Sequence, residues 1–252
     1  MNMLWYKSWL ETRWRFFIGV ALLLCSAWMT VFSYPYVLKL MPLVPDVEGE
    51  LGRQIRDAVE LTRTFGGFVW SEWFRQNHSQ LITLFAILLG TAGFLSRSGG
   101  ASFTLSLPVS RQRLVAVRAS AGLAELFVLA LVPSLVFPLL APAVGQTYGV
   151  GAAIVHSVCV FVASAVFHNL SLLLSTMFGD AWRPLLIAIV VAIALSVVER
   201  LLHVSGVGVF RVMSAESYFR HGELPWAGLL ASGAVAAALY YAAVANLARR
   251  DF

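Results

Sequence analysis

Apolar residues in this chain come in long blocks, not in the short periods of water-soluble helices and strands. The blocks lie at about 16–37, 80–95, 114–140, 151–178, 184–202 and 226–247. A helix needs about 20 mostly apolar residues to cross a bilayer, so the pattern predicts six transmembrane helices. The second block is short and borrows residues from either side. The third holds Pro133 and Pro138; these predict a kink, tolerable where neighbouring helices satisfy the freed carbonyls. Residues 39–79 form the longest polar stretch. Within it Leu51, Ile55, Ala58, Val59 and Thr62 recur at helical spacing and predict a short amphipathic helix. Phe68, Val69, Trp70, Trp73 and Phe74 follow, which reads as a second piece lying in the membrane interface. Residues 179–183 make a tight turn, and 203–225 form a second outer segment.

Trp5, Trp9 and Trp14 alternate with Lys7, Arg13 and Arg15 in the first fifteen residues. Indoles prefer the headgroup level and basic groups prefer anionic lipid, so 1–15 reads as an interfacial helix leading into the first span. A cleaved signal peptide fits less well. Glu11 sits in its basic region, the apolar run is too long, and no small-x-small site follows it. With the N-terminus inside, the cytoplasmic side carries Lys7, Arg13, Arg15, Arg97, Arg111, Arg113, Arg118, Arg183, Arg249 and Arg250. Its acids are Glu11, Asp180 and Asp251. The excess of basic residues sets the orientation. The fold class expected is therefore an all-α integral membrane protein, one transmembrane domain over 1–252 with an N-terminal interfacial helix and both termini cytoplasmic.

Composition agrees. Charged residues make up 12% of the chain and mean hydropathy is +0.78, whereas a soluble domain is roughly a quarter charged. The formal charge of +5 does not point to nucleic acid, because the basic residues sit scattered at span ends. No GxxxxGK[ST] phosphate loop occurs, so the chain does not hydrolyse ATP by that route. Cys25 and Cys159 lie inside apolar runs and offer neither a disulfide framework nor a zinc site.

The most informative stretch is Ser102-Phe103-Thr104-Leu105-Ser106-Leu107-Pro108-Val109-Ser110-Arg111-Gln112-Arg113. It resembles the L-x-S-L-P-V-S-R-x-R loop that follows the second span in the ABC-2 type permease family, the membrane subunits of ATP-binding-cassette exporters. Leu105, Ser106, Leu107, Pro108, Ser110 and Arg111 carry the match; elsewhere the likeness is one of layout. The resemblance implies a coupling loop that docks on a separate ATPase, with Phe103, Leu105, Leu107, Pro108, Arg111 and Arg113 as its contact residues. It implies no cofactor in this chain, with ATP and Mg bound by two copies of a partner ATPase subunit. It also implies a second permease subunit, giving a homo- or heterodimer, in a bacterial cytoplasmic (inner) membrane. An ordinary basic connector is the plainer reading of the same loop.

Two buried polar residues stand out. Glu125 lies about 18 Å along its helix from Arg113 and His168 about 16 Å from Gly179, so they fall at similar depth. They read either as a polar point on a substrate pathway or as a structural bridge between helices, with Asn169 a second candidate partner. His156 and His168 are about 120° apart on one helix and do not share a cofactor. Protease motifs are missing from the spans. Glu199 and His203 are four apart and read as a pair. Gly228, Ser232 and Ala236 form a small-residue stripe suited to close helix packing. The second class of function, a non-transporting membrane scaffold or an intramembrane enzyme using Glu125 and His168, stays open at this point.

Overall fold

A computed structural model describes residues 2–41, 49–91, 110–202 and 207–249. Among these residues every regular element is helical, and five helices are long and apolar enough to cross a membrane. The first, α1 (Asn2–Leu40), is a single unbroken helix of 39 residues, about 58 Å long at about 1.5 Å per residue. Residues 2–15 are thus not a separate helix. They hold no glycine or proline to stop propagation, and they run straight into the apolar block. Trp5, Trp9 and Trp14 point outward, while Ser8, Thr12, Leu23, Ala27, Val31 and Tyr34 make the buried stripe.

The amphipathic helix expected near residue 55 is present as α2 (Glu50–Thr62). Thr64 then caps the next helix, accepting a hydrogen bond from the Gly67 amide at 3.1 Å. That helix comprises α3 (Phe65–Phe68), a π-helical stretch (Val69–His78) and α4 (Ser79–Gly90). The backbone stays right-handed helical at both junctions, so the chain is helical from 65 to 90. The second apolar block takes in residues upstream, as its shortness implied. One expectation is corrected: Phe68, Val69, Trp70, Trp73 and Phe74 do not lie in the interface but are buried in the core. Val69 and Trp73, like Trp70 and Phe74, are four residues apart and so share the inner face. The polar residues Glu72, Arg75 and Gln76 lie on the other, which faces a chamber in the protein.

The third block becomes α5 (Arg111–Ser134) and α6 (Val136–Leu140), interrupted at Leu135 and followed by a tight 3-10 turn, Ala141–Val144. The two prolines explain the break, since neither has an amide hydrogen to donate. Pro133 leaves the Leu129 carbonyl without its helical donor, and the buried His78 ring lies beside that carbonyl. Neither ring nitrogen reaches good bonding geometry with a partner.

Helices α7 (Val150–Met177), α8 (Trp182–Leu201) and α11 (Trp226–Ala248) match the last three blocks. Between α8 and α11 lie two short helices, α9 (Val209–Ser214) and α10 (Glu216–His221). Helix α7 is the centre of the bundle and touches α4, α5, α8, α9 and α11. The small stripe on α11 is buried within the chain, with Ala236 packed on Ala165 and Val166 of α7. At the α9–α10 end, the Trp70 indole donates to the Ser214 carbonyl at 2.8 Å and stacks on Phe219 with ring centres 4.4 Å apart.

Candidate functional site

Phe103, Leu105, Leu107 and Pro108 lie outside the described residues, but Thr91 and Ser110, which flank residues 92–109 in sequence, are described. The first root is Thr91, just beyond the C-terminal end of α4. Arg15 of α1 reaches it, and its Nη1 donates to the carbonyls of Leu88 at 2.7 Å and Thr91 at 3.0 Å. These are carbonyls that a helix end leaves without an internal partner, and a cation beside them also offsets the negative end of the helix dipole. From α7, the Ser171 hydroxyl donates to the Ile87 carbonyl at 2.9 Å and lies 3.0 Å from the Thr91 hydroxyl. Ser175 donates to the Gly90 carbonyl at 3.4 Å. The helices approach closely here: a Cβ on Gly90 would stand 2.3 Å from the His168 carbonyl oxygen.

The second root is Ser110, where α5 begins. Arg111 is half-buried and donates to the Leu247 carbonyl of α11 at 3.5 Å, whereas Arg113 is exposed. Asn246 of α11 in turn donates to the Thr176 hydroxyl and carbonyl of α7, at 2.9 and 3.2 Å. Both ends of the loop are therefore hydrogen-bonded to helices distant in sequence.

Glu125 and His168 lie in this same end of the bundle but are not bonded to each other. The Glu125 carboxylate accepts a hydrogen bond from the Thr12 hydroxyl through Oε1 at 2.6 Å, and its Oε2 has no partner. The nearby Arg118 pairs with Glu11 at 2.8 Å. The His168 ring bonds Asn169 Oδ1 through Nδ1 at 3.0 Å, and Asn169 donates to the Ala236 carbonyl at 2.9 Å. His168 Nε2 sits against Gly122, where an added Cβ would come within 2.3 Å. The direct bridge expected from sequence is thus replaced by two separate ties, Glu125 to α1 and His168 through Asn169 to α11. The reason is steric: Gly122 leaves the space His168 fills, while Glu125, three residues on, meets Thr12.

At the other end Glu199 accepts from the Phe210 amide at 3.1 Å; its expected partner His203 lies outside the described residues. The root-end arrangement joins α1, α4, α5, α7 and α11 through polar contacts. It contains no group of three or more metal-ligating side chains among the described residues. Sequence reasoning missed Thr12, Arg15, Thr91 and Ser171. Arg15 carried the only signal, as the last charge before an apolar block. No family model matches this chain, and neither a curated protein nor a solved structure matches it.

Proposed function

We propose that the chain is the membrane-spanning subunit of an ATP-driven exporter of the ABC-2 type, multi-pass in a bacterial cytoplasmic membrane. In this reading the helix at 65–90 is the second of six spans, Trp5, Trp9 and Trp14 sit at the headgroup level, and both termini are cytoplasmic. The loop around Ser102–Arg113 docks on a separate ATPase, which binds ATP and Mg. Two ATPase subunits and a second permease subunit complete the complex.

One observation carries the reading: the loop is rooted in the bundle at both ends. Arg15 and Ser171 hold Thr91, and Arg111 reaches the end of α11. A lever requires such anchoring, because a push on the loop moves the spans only if its ends cannot slip. The apolar Phe103, Leu105 and Leu107 and the corner set by Pro108 supply the face to be pushed. The runner-up enzyme has less support, since Glu125 and His168 each bond elsewhere.

The test is assembly. A tagged chain should copurify with a protein that carries a GxxxxGK[ST] phosphate loop. Leu105→Glu should lose that partner while still inserting in the membrane, because it buries an unpaired charge at the contact. Copurification of the ATPase with Leu105→Glu at the unmodified level contradicts the docking assignment.

A further inference from the structure

The end of the bundle opposite the loop holds a two-part cleft. Its polar part is a chamber of about 730 Å³ between the π-helical stretch, the end of α8 and the α9–α10 pair. Its apolar part is a groove of about 400 Å³ between α4 and α8, lined by Leu84, Ile87, Ile189, Ala192, Ile193 and Val197. Both volumes fall in the range of small-molecule sites, about 300–1,000 Å³. Gln80, Ser196, Arg200 and Phe210 line both parts, so the two are continuous. The change of character is simultaneous on both walls. Going up α8 the lining runs Ile189, Ile193, Val197, then Arg200; on the facing helix it runs Ile87, Leu84, Gln80, Gln76, then Glu72.

The chamber is lined by three carboxylates and three guanidinium groups, and most are already committed. Glu199 takes the Phe210 amide at 3.1 Å, and Glu216 takes Arg220 at 2.8 Å and Arg211 at 3.8 Å. The Arg75 guanidinium lies over the Trp70 ring, 5.6 Å from its centre. That leaves Glu72 and Arg200, neither of which has a hydrogen-bond or ion-pair partner among the described residues. Glu72 and Arg200 thus face the chamber without a partner, Arg200 at the seam with the apolar groove, while Arg75 is held only over the Trp70 ring.

We propose that this cleft binds a phospholipid with a zwitterionic, amine-bearing head. The phosphate meets Arg200, which stands at the boundary where a phosphate joins head to acyl chains, and guanidinium matches phosphate geometry. The ammonium meets Glu72 deeper in the chamber, and one acyl chain lies in the Leu84–Ile193 groove. An anionic lipid such as phosphatidylglycerol would satisfy Arg200 through its phosphate but bring no cation to Glu72. A soluble phosphate ester would leave the groove empty.

The assignment needs the bilayer but no ATPase, so it stands or falls apart from the exporter reading. The experiment is native mass spectrometry of the purified chain in detergent micelles. The probes are dioleoyl phosphatidylethanolamine and dioleoyl phosphatidylglycerol, which share their acyl chains. The ethanolamine lipid should bind on the order of tenfold tighter. Glu72→Gln should abolish that preference, and Arg200→Gln should weaken both lipids. Retained helicity and melting temperature confirm that the variants fold, as both side chains are at least partly exposed. Free phosphoethanolamine at millimolar concentration should not displace the lipid. Equal binding of the two lipids, variants that bind like the unmodified chain, or displacement by phosphoethanolamine alone would each overturn the proposal.

Discussion

At Gly122 helix propensity and packing pull in opposite directions. On propensity, Gly122→Ala should stabilise α5 by about 1 kcal/mol. The added methyl would stand 2.3 Å from His168 Nε2, however, on a buried ring tied to Asn169. Overpacking of that kind costs about 1–3 kcal/mol, so the melting temperature in detergent should fall, and a rise would mean His168 does not occupy that space. The Thr12–Glu125 hydrogen bond is a second residue-level target. In a double-mutant cycle Thr12→Val and Glu125→Leu should show a coupling of about 0.5–3 kcal/mol. Glu125→Leu and His168→Leu, which share no bond, should instead couple less strongly than that pair. The opposite ranking would restore the direct bridge.

Among elements, those that cross the bundle with uniform apolar sequence were the easiest to read. Blocks 151–178, 184–202 and 226–247 became Val150–Met177, Trp182–Leu201 and Trp226–Ala248. Lipid selects long apolar runs, and such runs end where charges begin. The helix at 65–90 was misread for the same reason. Glu72, Arg75 and Gln76 look like headgroup contacts when only lipid and water are considered, yet they line one wall of an open chamber against the end of α8 and the α9–α10 pair. The root-end ties were invisible for a different reason: Thr12 and Glu125 are 113 residues apart, and nothing local in either helix specifies the other. Two element-level tests follow. Arg15→Gln removes the cation from the end of α4, where such charges contribute about 0.3–1 kcal/mol, and amide exchange at 87–91 should accelerate while the middle of α7 is unchanged. Trp70→Phe loses both the bond to Ser214 and part of a fully buried ring, and should lower stability by more than about 1 kcal/mol; no loss would mean that neither the bond nor the packing is as described.

For the whole molecule the two ends of the bundle have distinct characters. One end carries the roots of the 92–109 loop and a set of polar ties among five helices. The other carries an aromatic core and the two-part cleft. The proposed orientation puts the first end in the cytoplasm and the cleft on the outer side. Single cysteines at Arg53 and Glu216 should then label from outside with an impermeant maleimide, and one at Arg111 should not, in a chain whose Cys25 and Cys159 have been replaced. The central claim is that a push on the loop is transmitted through its roots, and its most direct measurement is ATP hydrolysis by the partner ATPase reconstituted with this chain in vesicles. The unmodified chain should change the rate several-fold relative to the ATPase alone. Arg15→Gln should leave the complex assembled but bring the rate back toward that of the free ATPase. A chain that assembles with the ATPase and leaves its hydrolysis unchanged, or an Arg15→Gln chain that couples as well as the unmodified one, would contradict the account.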